Sequence, residues 1–393
     1  MSGQNSGNGR DPGHRKLLAL LFAGFVLTGV ATVIVGPLLP VFIRKWSLDD
    51  GQAGLFFTVQ FAAAMGGTAL SSVLSSWRGY RPALVLGYVM IGAGLAALNT
   101  ESHAMAMAAA ASFGCGYGLV IPGSNLLVAE VGGTRSASLL NLLNFAWGAG
   151  ALACSPLILL ALKLKQLPSL LAGLASLACL MVPGLLLVSF RGEKRRESAP
   201  VSDGGTRSTG LAVTMALAAL FFIYVAMENG VGGWAAEHAK RMSKGTTSMP
   251  TLAPMFFYAG LMSGRAIAPL LLLRITERRL VLSALGLTAG GTALMIAAST
   301  LRMAFTAVFL AGLGCSSIYP IYIAWFSRWY GSRAKRIGGI LFAMASLGGS
   351  SGPWFVGYVS KHSGSLQVGL LVPLISAITM ICLVLLLRRQ TAA

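Results

Sequence analysis

The sequence predicts an all-α membrane protein with twelve transmembrane helices, built as two six-helix repeats. Of its 393 residues, 55% are hydrophobic and only 10% are charged, whereas soluble domains carry about 25% charged residues. The apolar residues fall in runs of the roughly 20 residues that cross a bilayer as a helix. Because a bilayer offers no water to backbone polar groups, such runs fold as helices. The second half of the chain also echoes the first.

The first apolar run begins after a short polar tail. Residues 1–16 are rich in Gly and Ser and end in a basic stretch, which predicts a cytoplasmic tail. The run that follows, 17–43, is far longer than the 7–15 apolar residues or so at the core of a signal peptide. It is therefore expected to be the first spanning helix.

Eleven more apolar runs follow with short linkers between most of them. They are placed near 53–74, 83–99, 104–131, 137–162, 170–190, 209–236, 251–273, 280–298, 303–327, 337–360 and 368–387. The longest connection, 191–208, is polar and basic and is interpreted as a cytoplasmic linker. It divides an N-terminal half, 17–190, from a C-terminal half, 209–387, which a second tail, 388–393, follows.

The distribution of Lys and Arg predicts the orientation. Of the 30 Lys and Arg residues, 20 fall in the two tails and the loops on the tail side, 9 fall in the opposite loops, and Arg265 lies inside a helix. Basic loops stay in the cytoplasm, so both termini are expected there, with the protein in the inner membrane. The net charge of +19 is thus a topology signal and does not indicate nucleic acid.

Matches at an offset of about 198 residues indicate an internal duplication. Gly114, Gly116 and Pro122 correspond to Gly312, Gly314 and Pro320. Residues 132–135 correspond in the same way to 330–333. Such a duplication favours two halves with a pathway between them, and the recurring Gly and Pro positions favour hinges near a central site.

No catalytic or metal-binding constellation can be assembled from the sequence. The five cysteines lie in apolar runs without disulfide or metal spacing, and are expected to be small buried side chains. The four histidines lie in the tail, in loops or at a helix end. We therefore expect no enzyme, no metal and no cofactor.

Glu228 is the residue around which a functional site is first sought. It lies deep in the run 209–236, within the stretch that also carries Tyr224, Asn229 and Trp234. A carboxylate at that depth costs about 3 kcal/mol on insertion scales and usually faces the bundle interior or an aqueous cavity. Pairing with a buried donor is the structural alternative. The functional interpretation places Glu228 on a substrate or proton path.

The fifth run carries a polar face beside a tryptophan. Asn141, Asn144 and Gly148 share one helical face, and Trp147 lies next to it. Amides and an indole suit a sugar, whose hydroxyls they bond and whose ring they stack against. Helix association through the Asn side chains and a lipid-facing Trp147 is the equally weighted alternative.

Further polar and aromatic positions complete the predicted substrate site. Arg265 is the intramembrane base, which could bind substrate, neutralise Glu228 or extend towards the cytoplasm. Glu130, near a cytoplasmic helix end, is expected to pair with a neighbouring Arg. The substrate-binding candidates are Asn125, Asn144, Trp147, Tyr224, Glu228, Asn229, Trp234, Arg265, Tyr319 and Trp354.

These motifs resemble the major facilitator superfamily, in particular its fucose–galactose–glucose:proton symporter branch. The resemblance covers nearly the whole chain and rests on residues 52–55, Gly116-x-Gly118 with Asn125, Leu140-Asn141 with Asn144 and Trp147, Tyr224 with Glu228, Gly264-Arg265, 318–320 and 352–357. It implies the major facilitator fold, and Asn144 and Trp147 match positions that contact sugar in the branch.

The resemblance breaks at the coupling acids. Fucose permeases carry them in the first and fourth spans, where this chain has Gly36 and Ile121. Glu228 is then the acid left near the membrane centre, so it becomes the proton-coupling candidate.

The resulting hypothesis is a monomeric secondary transporter in the lipid bilayer that moves a small polar solute, expected to be sugar-like, by alternating access. Transport is either coupled to protons through Glu228, coupled to another ion, or not coupled. The alternative is a drug or metabolite exporter, which the apolar residues Val33, Val35, Val120 and Ile121 favour. A membrane enzyme or sensor would need a catalytic group or an output domain, and the sequence shows neither.

Overall fold

The computed structural model describes residues 12–188, 211–243, 248–330 and 334–391, which form twelve membrane-length helices. In the first half these are α1 (Pro12–Val33 and Val35–Trp46), α2 (Asp50–Arg78), α3 (Tyr80–Ala97), α4 (His103–Gly132), α5 (Ser136–Lys163) and α6 (Leu167–Leu187). In the second half they are α7 (Leu211–Met242), α8 (Ala253–Leu272), α9 (Glu277–Ile296), α10 (Leu301–Cys315 and Ile318–Tyr330), α11 (Ala334–Ser363) and α12 (Leu366–Gly369 and Leu371–Thr391).

Each predicted span overlaps one of these helices, but several ends differ. α1 begins at Pro12, inside the predicted tail, since proline suits the first turn of a helix. α7 continues to Met242, six residues beyond its predicted end, because Arg241 in this segment pairs with Glu237 of the same helix and with Asp50 of α2. The predicted linker 191–208 lies outside the described residues.

Eleven helices of the described chain are long and apolar enough to cross a membrane. α11 has 30 residues, which at 1.5 Å per residue is also long enough. Its middle, 346–352, is rich in Ser and Gly and therefore less apolar. Since the helices alternate in direction, α1 begins and α12 ends at the same end of the bundle. We call this the termini end and the opposite end the distal end.

The two halves pack alike, as the duplication predicts. In the first half α1 packs on α5, α2 on α4, and α3 on both α4 and α6. The equivalent pairs, α7 with α11, α8 with α10, and α9 with α10 and α12, pack in the second half. The chain is therefore a repeated six-helix unit.

The recurring glycines are positions of close packing in this structure. A Cβ added at Gly114 would lie 2.3 Å from the backbone oxygen of Gln60 in α2. A Cβ added at Gly312 would lie 2.1 Å from the backbone oxygen of Phe257 in α8. The helix interruptions lie at other positions, before Pro37 in α1, Pro320 in α10 and Pro373 in α12. A proline lacks the N–H that would bond the carbonyl one turn earlier, which explains all three interruptions.

The halves meet chiefly through α2 with α11, α1 with α7, and α5 with α8. Small residues bring α2 and α11 together: a Cβ at Gly54 would lie 2.9 Å from the Trp354 Cα. Further along, the Thr58 hydroxyl donates to the Ser350 carbonyl (2.8 Å). The Ser350 hydroxyl in turn donates to the Thr58 carbonyl (3.2 Å). These contacts run inward from the distal end.

Two predictions for individual side chains are corrected. Glu130 is exposed, and no ion pair within 4 Å joins it to another described residue; nearby Arg81 donates to the Val188 carbonyl (2.7 Å). Cys154 and Cys315 are buried as expected, but Cys179 and Cys382 are exposed. Both lie in outer helix faces, which lipid would cover in a membrane.

Replacing Gly114 by Ala is expected to destabilise the protein, because the added methyl group has no space between α4 and α2. Such overpacking costs about 1–3 kcal/mol. The midpoint of thermal unfolding in detergent, followed by tryptophan fluorescence, should fall by several degrees. Gly173→Ala in α6 is the matched control, since nothing lies within 4 Å of its added Cβ. Equal midpoints for the two variants would contradict the packing described here.

Candidate functional site

Glu228 lies near the middle of α7, half-buried in the bundle. Arg265 of α8 is within electrostatic range of its carboxylate. No ion pair within 4 Å joins these two described residues, and the Arg265 Nε atom is buried without a partner. A carboxylate and a guanidinium that are not paired with each other thus share the centre of the second half. Both can bond the same polar solute.

Tyrosine rings form a wall next to Glu228. Tyr224, one turn earlier in α7, is buried and its hydroxyl donates to the Cys315 carbonyl of α10 (3.0 Å). Its ring lies 5.7 Å from that of Tyr319, which also makes an edge contact with Phe221 at 5.4 Å. The break in α10 just before Tyr319 positions this residue on the α7 side.

Trp147 joins the two halves. Its indole N–H donates to the Thr32 hydroxyl of α1 at 3.4 Å. Its ring makes an edge contact with Tyr258 of α8, with 6.1 Å between centroids. The aromatic side chain predicted for a sugar ring therefore lies where α1, α5 and α8 meet.

Asn144 lies on the face of α5 that points to the second half of the protein. A Cβ at Gly148 would lie 2.9 Å from the Met262 sulfur of α8, so the face of Asn141, Asn144 and Gly148 points to the second half. Asn141 and Asn144 are exposed, and the Asn144 amide N–H donates to the Leu140 carbonyl (2.9 Å). Its amide oxygen stays available on the face that leads from Trp147 towards the termini end.

A small central cleft lies between α1, α2, α7 and α8. Its lining includes Thr32, Phe61, Asn229 and Tyr258. The Asn229 amide N–H donates to the Val225 carbonyl (2.9 Å) of its own helix, which leaves its oxygen for the cleft. Polar groups and aromatic rings from both halves therefore border the same space.

Three predicted residues lie apart from this group. Trp234 is fully buried and its indole N–H donates to the Pro353 carbonyl (2.8 Å), so it ties α7 to α11. Trp354 lies beside the α2–α11 contact, and its ring packs against those of Phe355 and Tyr358. Asn125 is half-buried in α4 with its amide bonded to the Ile121 carbonyl (2.8 Å). A substrate contact for each of them stays a prediction.

The sequence interpretation missed several residues of this region. Thr32 and Tyr258 line the cleft, and Gln60 and Tyr117 are buried beside it. An isolated Gln in the apolar middle of α2 was the available signal for Gln60. Within the described ranges, no cluster of His, Cys, Asp or Glu side chains is arranged to hold a metal ion.

An ion network closes the distal end, and its charged residues lay outside the predicted spans. The Arg241 guanidinium of α7 contacts both carboxylate oxygens of Asp50 of α2, one of them at 2.9 Å. Its Nε donates to Glu237 of the same helix at 2.6 Å. The Ser360 hydroxyl of α11 donates to Asp50. Asp50 and Glu237 are buried, whereas the Arg241 side chain stays partly exposed. The network therefore ties the two halves together through carboxylates that are shielded from water.

A second ion pair flanks this network. The Lys361 ammonium of α11 lies 3.0 Å from Asp49, which caps the start of α2. Partial burial opposes ionisation of the Asp49 carboxyl, but the Gln52 backbone N–H and Lys361 outweigh it and hold its pKa below the ordinary value. Asp49 is therefore ionised at neutral pH, and the pair is present there.

Comparisons with known proteins identify the fold. No protein-family model matches the chain, and no curated protein matches its sequence. A solved variant of the nucleoside transporter NupG matches with a TM-score of 0.76 and 13% identity, covering 95% of this chain and 98% of that one.

Two other solved structures are similar. A bacterial homologue of the human lysosomal transporter Spinster, inward-facing and unoccupied, matches with a TM-score of 0.74 and 14% identity over 97% of this chain and 98% of its own. A variant of the E. coli fucose:proton symporter FucP matches with a TM-score of 0.62 and 16% identity over 94% and 98%. The chain therefore has the major facilitator fold, as the resemblance implied.

Replacing Arg241 by Gln should separate the halves at the distal end, because it leaves the buried carboxylates of Asp50 and Glu237 without their cation. Spin labels at Ser102 and Ser299, exposed in distal loops of the two halves, would report this in a cysteine-free background. We expect the longer inter-label distance to gain population about tenfold, a shift of about 1.4 kcal/mol. Lys45→Gln is the control, since it breaks an exposed pair with Glu101 within one half. Identical distance distributions for both variants would contradict the role of the network.

Proposed function

We propose that the protein is a secondary transporter that moves a small polyhydroxylated solute, a sugar or a sugar-bearing compound, across the cytoplasmic membrane by alternating access. The observation that carries the proposal is a group of charged and aromatic side chains near the contact between the halves. Glu228 and Arg265, unpaired with each other, are both within electrostatic range of Tyr258, whose ring contacts that of Trp147. In a two-half fold, a site at mid-depth can face either side in turn.

The basic loops give the orientation. The tails and the loops at the termini end contain 20 Lys and Arg residues, and the distal loops contain 9. In this proposal the termini end is therefore cytoplasmic. The distal end then faces away from the cytoplasm, and its ion network holds that side closed. In this proposal the solute leaves at the termini end, past Asn144.

The side chains of the site suit hydroxyl groups and a ring. The Glu228 carboxylate accepts hydrogen bonds from hydroxyls, whereas Arg265 donates them. The indole of Trp147 and the ring of Tyr258 offer flat apolar surface to the C–H face of a sugar. The similar structures include a nucleoside transporter and a fucose symporter, whose solutes share a polyhydroxylated ring, which supports the same class here.

One observation favours an exporter of apolar compounds instead. The first-half wall of the cleft includes Val33, Phe57 and Phe61, which offer no hydrogen bonds. The two functions differ in what the purified protein binds. Labelled L-fucose, D-xylose and uridine should bind in the proposed transporter, whereas tetraphenylphosphonium should bind in an exporter. Binding of the lipophilic cation alone would overturn the sugar proposal.

Truncating the α5 face should weaken binding of whichever polyhydroxylated probe binds. Trp147→Ala and Asn144→Ala each remove one contact, and a lost buried hydrogen bond costs about 1–3 kcal/mol, a roughly ten- to hundredfold change in affinity. Leu142→Ala, an exposed position of the same helix, is the control. Equilibrium dialysis in detergent measures the effect. Unchanged affinity in both variants would assign this face to helix packing.

Glu228 is proposed to couple solute movement to protons. Since no ion pair within 4 Å fixes its charge among the described residues, it can gain and lose a proton as the site changes sides. Glu228→Gln keeps the hydrogen-bonding shape, so exchange of solute should continue while accumulation driven by a proton gradient is lost.

The assay for this prediction is solute-driven pH change in proteoliposomes. Wild-type protein should move protons with solute, and Glu228→Gln should not. Glu101→Gln, at an exposed distal loop, should behave as wild type. Transport by the wild type without proton movement would leave a facilitator and end the coupling proposal.

A further inference from the structure

The spanning segments of the chain carry one acid and one base at their centre. Apart from Glu130 near a helix end, the only Asp, Glu, Lys or Arg residues within the twelve predicted spans are Glu228 of α7 and Arg265 of α8. A carboxylate can become neutral by taking up a proton, whereas a guanidinium stays charged in a protein. The permanent charge at the centre of the bundle is therefore the positive charge of Arg265.

Arg265 has no counter-charge in contact with it. No ion pair within 4 Å and no hydrogen bond joins its side chain to another described residue, and its Nε atom is buried without a partner. The residue as a whole is half-buried, so part of its side chain stays accessible. Charged side chains at this depth nearly always pair with another group. Arg265 therefore has the capacity to bind an anion that the chain itself does not supply.

Helical spacing places Arg265 on the face of α8 that meets the first half. Tyr258, Met262 and Arg265 stand at i, i+4 and i+7, so they share one face of this helix. The Tyr258 ring contacts that of Trp147, and a Cβ at Gly148 would lie 2.9 Å from the Met262 sulfur. Arg265 continues the same face by about one turn towards the termini end.

The amides of α5 lie opposite this part of α8. The two helices run in opposite directions, so Asn144 and Asn141 follow Gly148 towards the termini end as Arg265 follows Met262. Asn141 and Asn144 are exposed. A face that points to the other half and is still exposed borders open space between the halves. Arg265 and the two amides thus border that space from opposite sides.

The aromatic contact lies within reach of the guanidinium. Tyr258 and Arg265 are seven residues apart in α8, which is roughly 10 Å along the helix axis. Side chains of a helix lean towards its N-terminus, so the long Arg265 side chain extends back towards Tyr258. A solute whose ring lies against Trp147 and Tyr258 can therefore present a substituent to Arg265.

We propose that this substituent is a carboxylate, so that the solute is a sugar acid held by Arg265 through its carboxylate and by Asn144 and Asn141 through its hydroxyls. A guanidinium binds a carboxylate with two parallel hydrogen bonds. Its single charge matches the single charge of a carboxylate, whereas a phosphate monoester carries a charge of about −1.5 to −2 at neutral pH. This inference rests on the proposed function and narrows its solute class.

Glu228 has to accommodate the bound anion, and it can do so by taking up a proton. Arg265 is within electrostatic range of it, and the packed stretches 17–43 of α1, 337–360 of α11 and 368–387 of α12 contain no charged residue. The other titratable groups within electrostatic range are Tyr224, Tyr258, Cys315 and Tyr319. A second negative charge nearby disfavours an ionised carboxylate. The solute anion and a proton on Glu228 therefore bind together.

The test compares each neutral sugar with its uronic acid. D-Galactose and D-galacturonate, and D-glucose and D-glucuronate, differ only in whether the last carbon is a hydroxymethyl group or a carboxylate. Each is titrated against the purified protein in lipid nanodiscs. Arg265→Gln removes the charge but can still donate to a hydroxyl, and Arg265→Lys keeps the charge without the paired geometry. Arg274→Gln is the matched control, since Arg274 is exposed just beyond the end of α8.

The proposal predicts a preference that depends on one charge. The wild type should bind at least one uronate about tenfold or more tightly than the matching neutral sugar. Arg265→Gln should remove this preference and largely keep the affinity for the neutral sugar. Arg265→Lys should keep part of the preference, and Arg274→Gln should keep all of it. A purely structural role of Arg265 would weaken the neutral and the acidic probes by the same factor.

Proton uptake gives a second readout. Uronates stay ionised between about pH 6 and about pH 8. The wild type should bind the preferred uronate more tightly at the lower pH, because the anion favours a proton on Glu228, and the neutral sugar should show no such gain. Glu228→Gln carries no charge at this position and should bind the uronate equally at both pH values. A variant that keeps the pH response of the wild type would contradict the joint binding of anion and proton.

The outcomes separate this inference from the proposed function. If the wild type binds the neutral sugars and prefers neither uronate, the carboxylate site is wrong and the transporter proposal stands. If the wild type binds neither the neutral sugars nor the uronates, the sugar proposal fails and the carboxylate site fails with it.

Discussion

Arg241 is the side chain on which the closed distal end depends. It is a single cation placed between two buried carboxylates, one on its own helix and one, Asp50, on the other half. Charges removed from water are stable only when paired with good geometry, and the bidentate contact to Asp50 meets that condition. The halves can separate here only if water or new partners replace these bonds. The network is therefore suited to hold one state and to release it.

The polar groups of the centre follow a different rule. At the distal end each described charge of the network is matched by a partner. At the centre, Arg265, Gln60 and Tyr117 each have a polar atom without a partner among the described residues, and no ion pair within 4 Å fixes the charge of Glu228 there. Helix packing alone would favour satisfied or apolar side chains at this depth. Unused donors and acceptors from both halves, gathered around a cleft that aromatic rings border, are what a solute-binding site in a membrane requires.

Much of the fold could be predicted from the sequence because hydropathy is the dominant physical signal in a bilayer. The twelve runs and the offset of about 198 residues predicted the twelve helices and their repeated packing. The ends were less predictable, because hydropathy treats every charge as solvated. Asp50, Glu237 and Arg241 were thus placed outside the spans, although pairing buries the two carboxylates inside them.

Side-chain direction explains what the sequence could not predict about the site. The spanning helices are apolar on all sides, so periodicity does not show which face points inward. Trp234 was grouped with Glu228 by its nearness in sequence, but it points to Pro353 and joins two helices. Gln60 and Tyr117 lacked any periodic pattern, and only the three-dimensional arrangement brings them together. Trp147 was predictable because its neighbours Asn144 and Gly148 mark the inward face.

The central claim is that the distal network and the central site are two parts of one alternating-access cycle. Spin-label distances measured at both ends of the bundle, in lipid nanodiscs with and without a bound solute, test it most directly. One label pair joins the distal loops at Ser102 and Ser299, and the other joins Ser76 and Arg274, exposed at the termini end. The account predicts that solute increases the population in which the distal distance is long and the termini-end distance is short. Distances that do not change with solute, or that lengthen at both ends together, would contradict it.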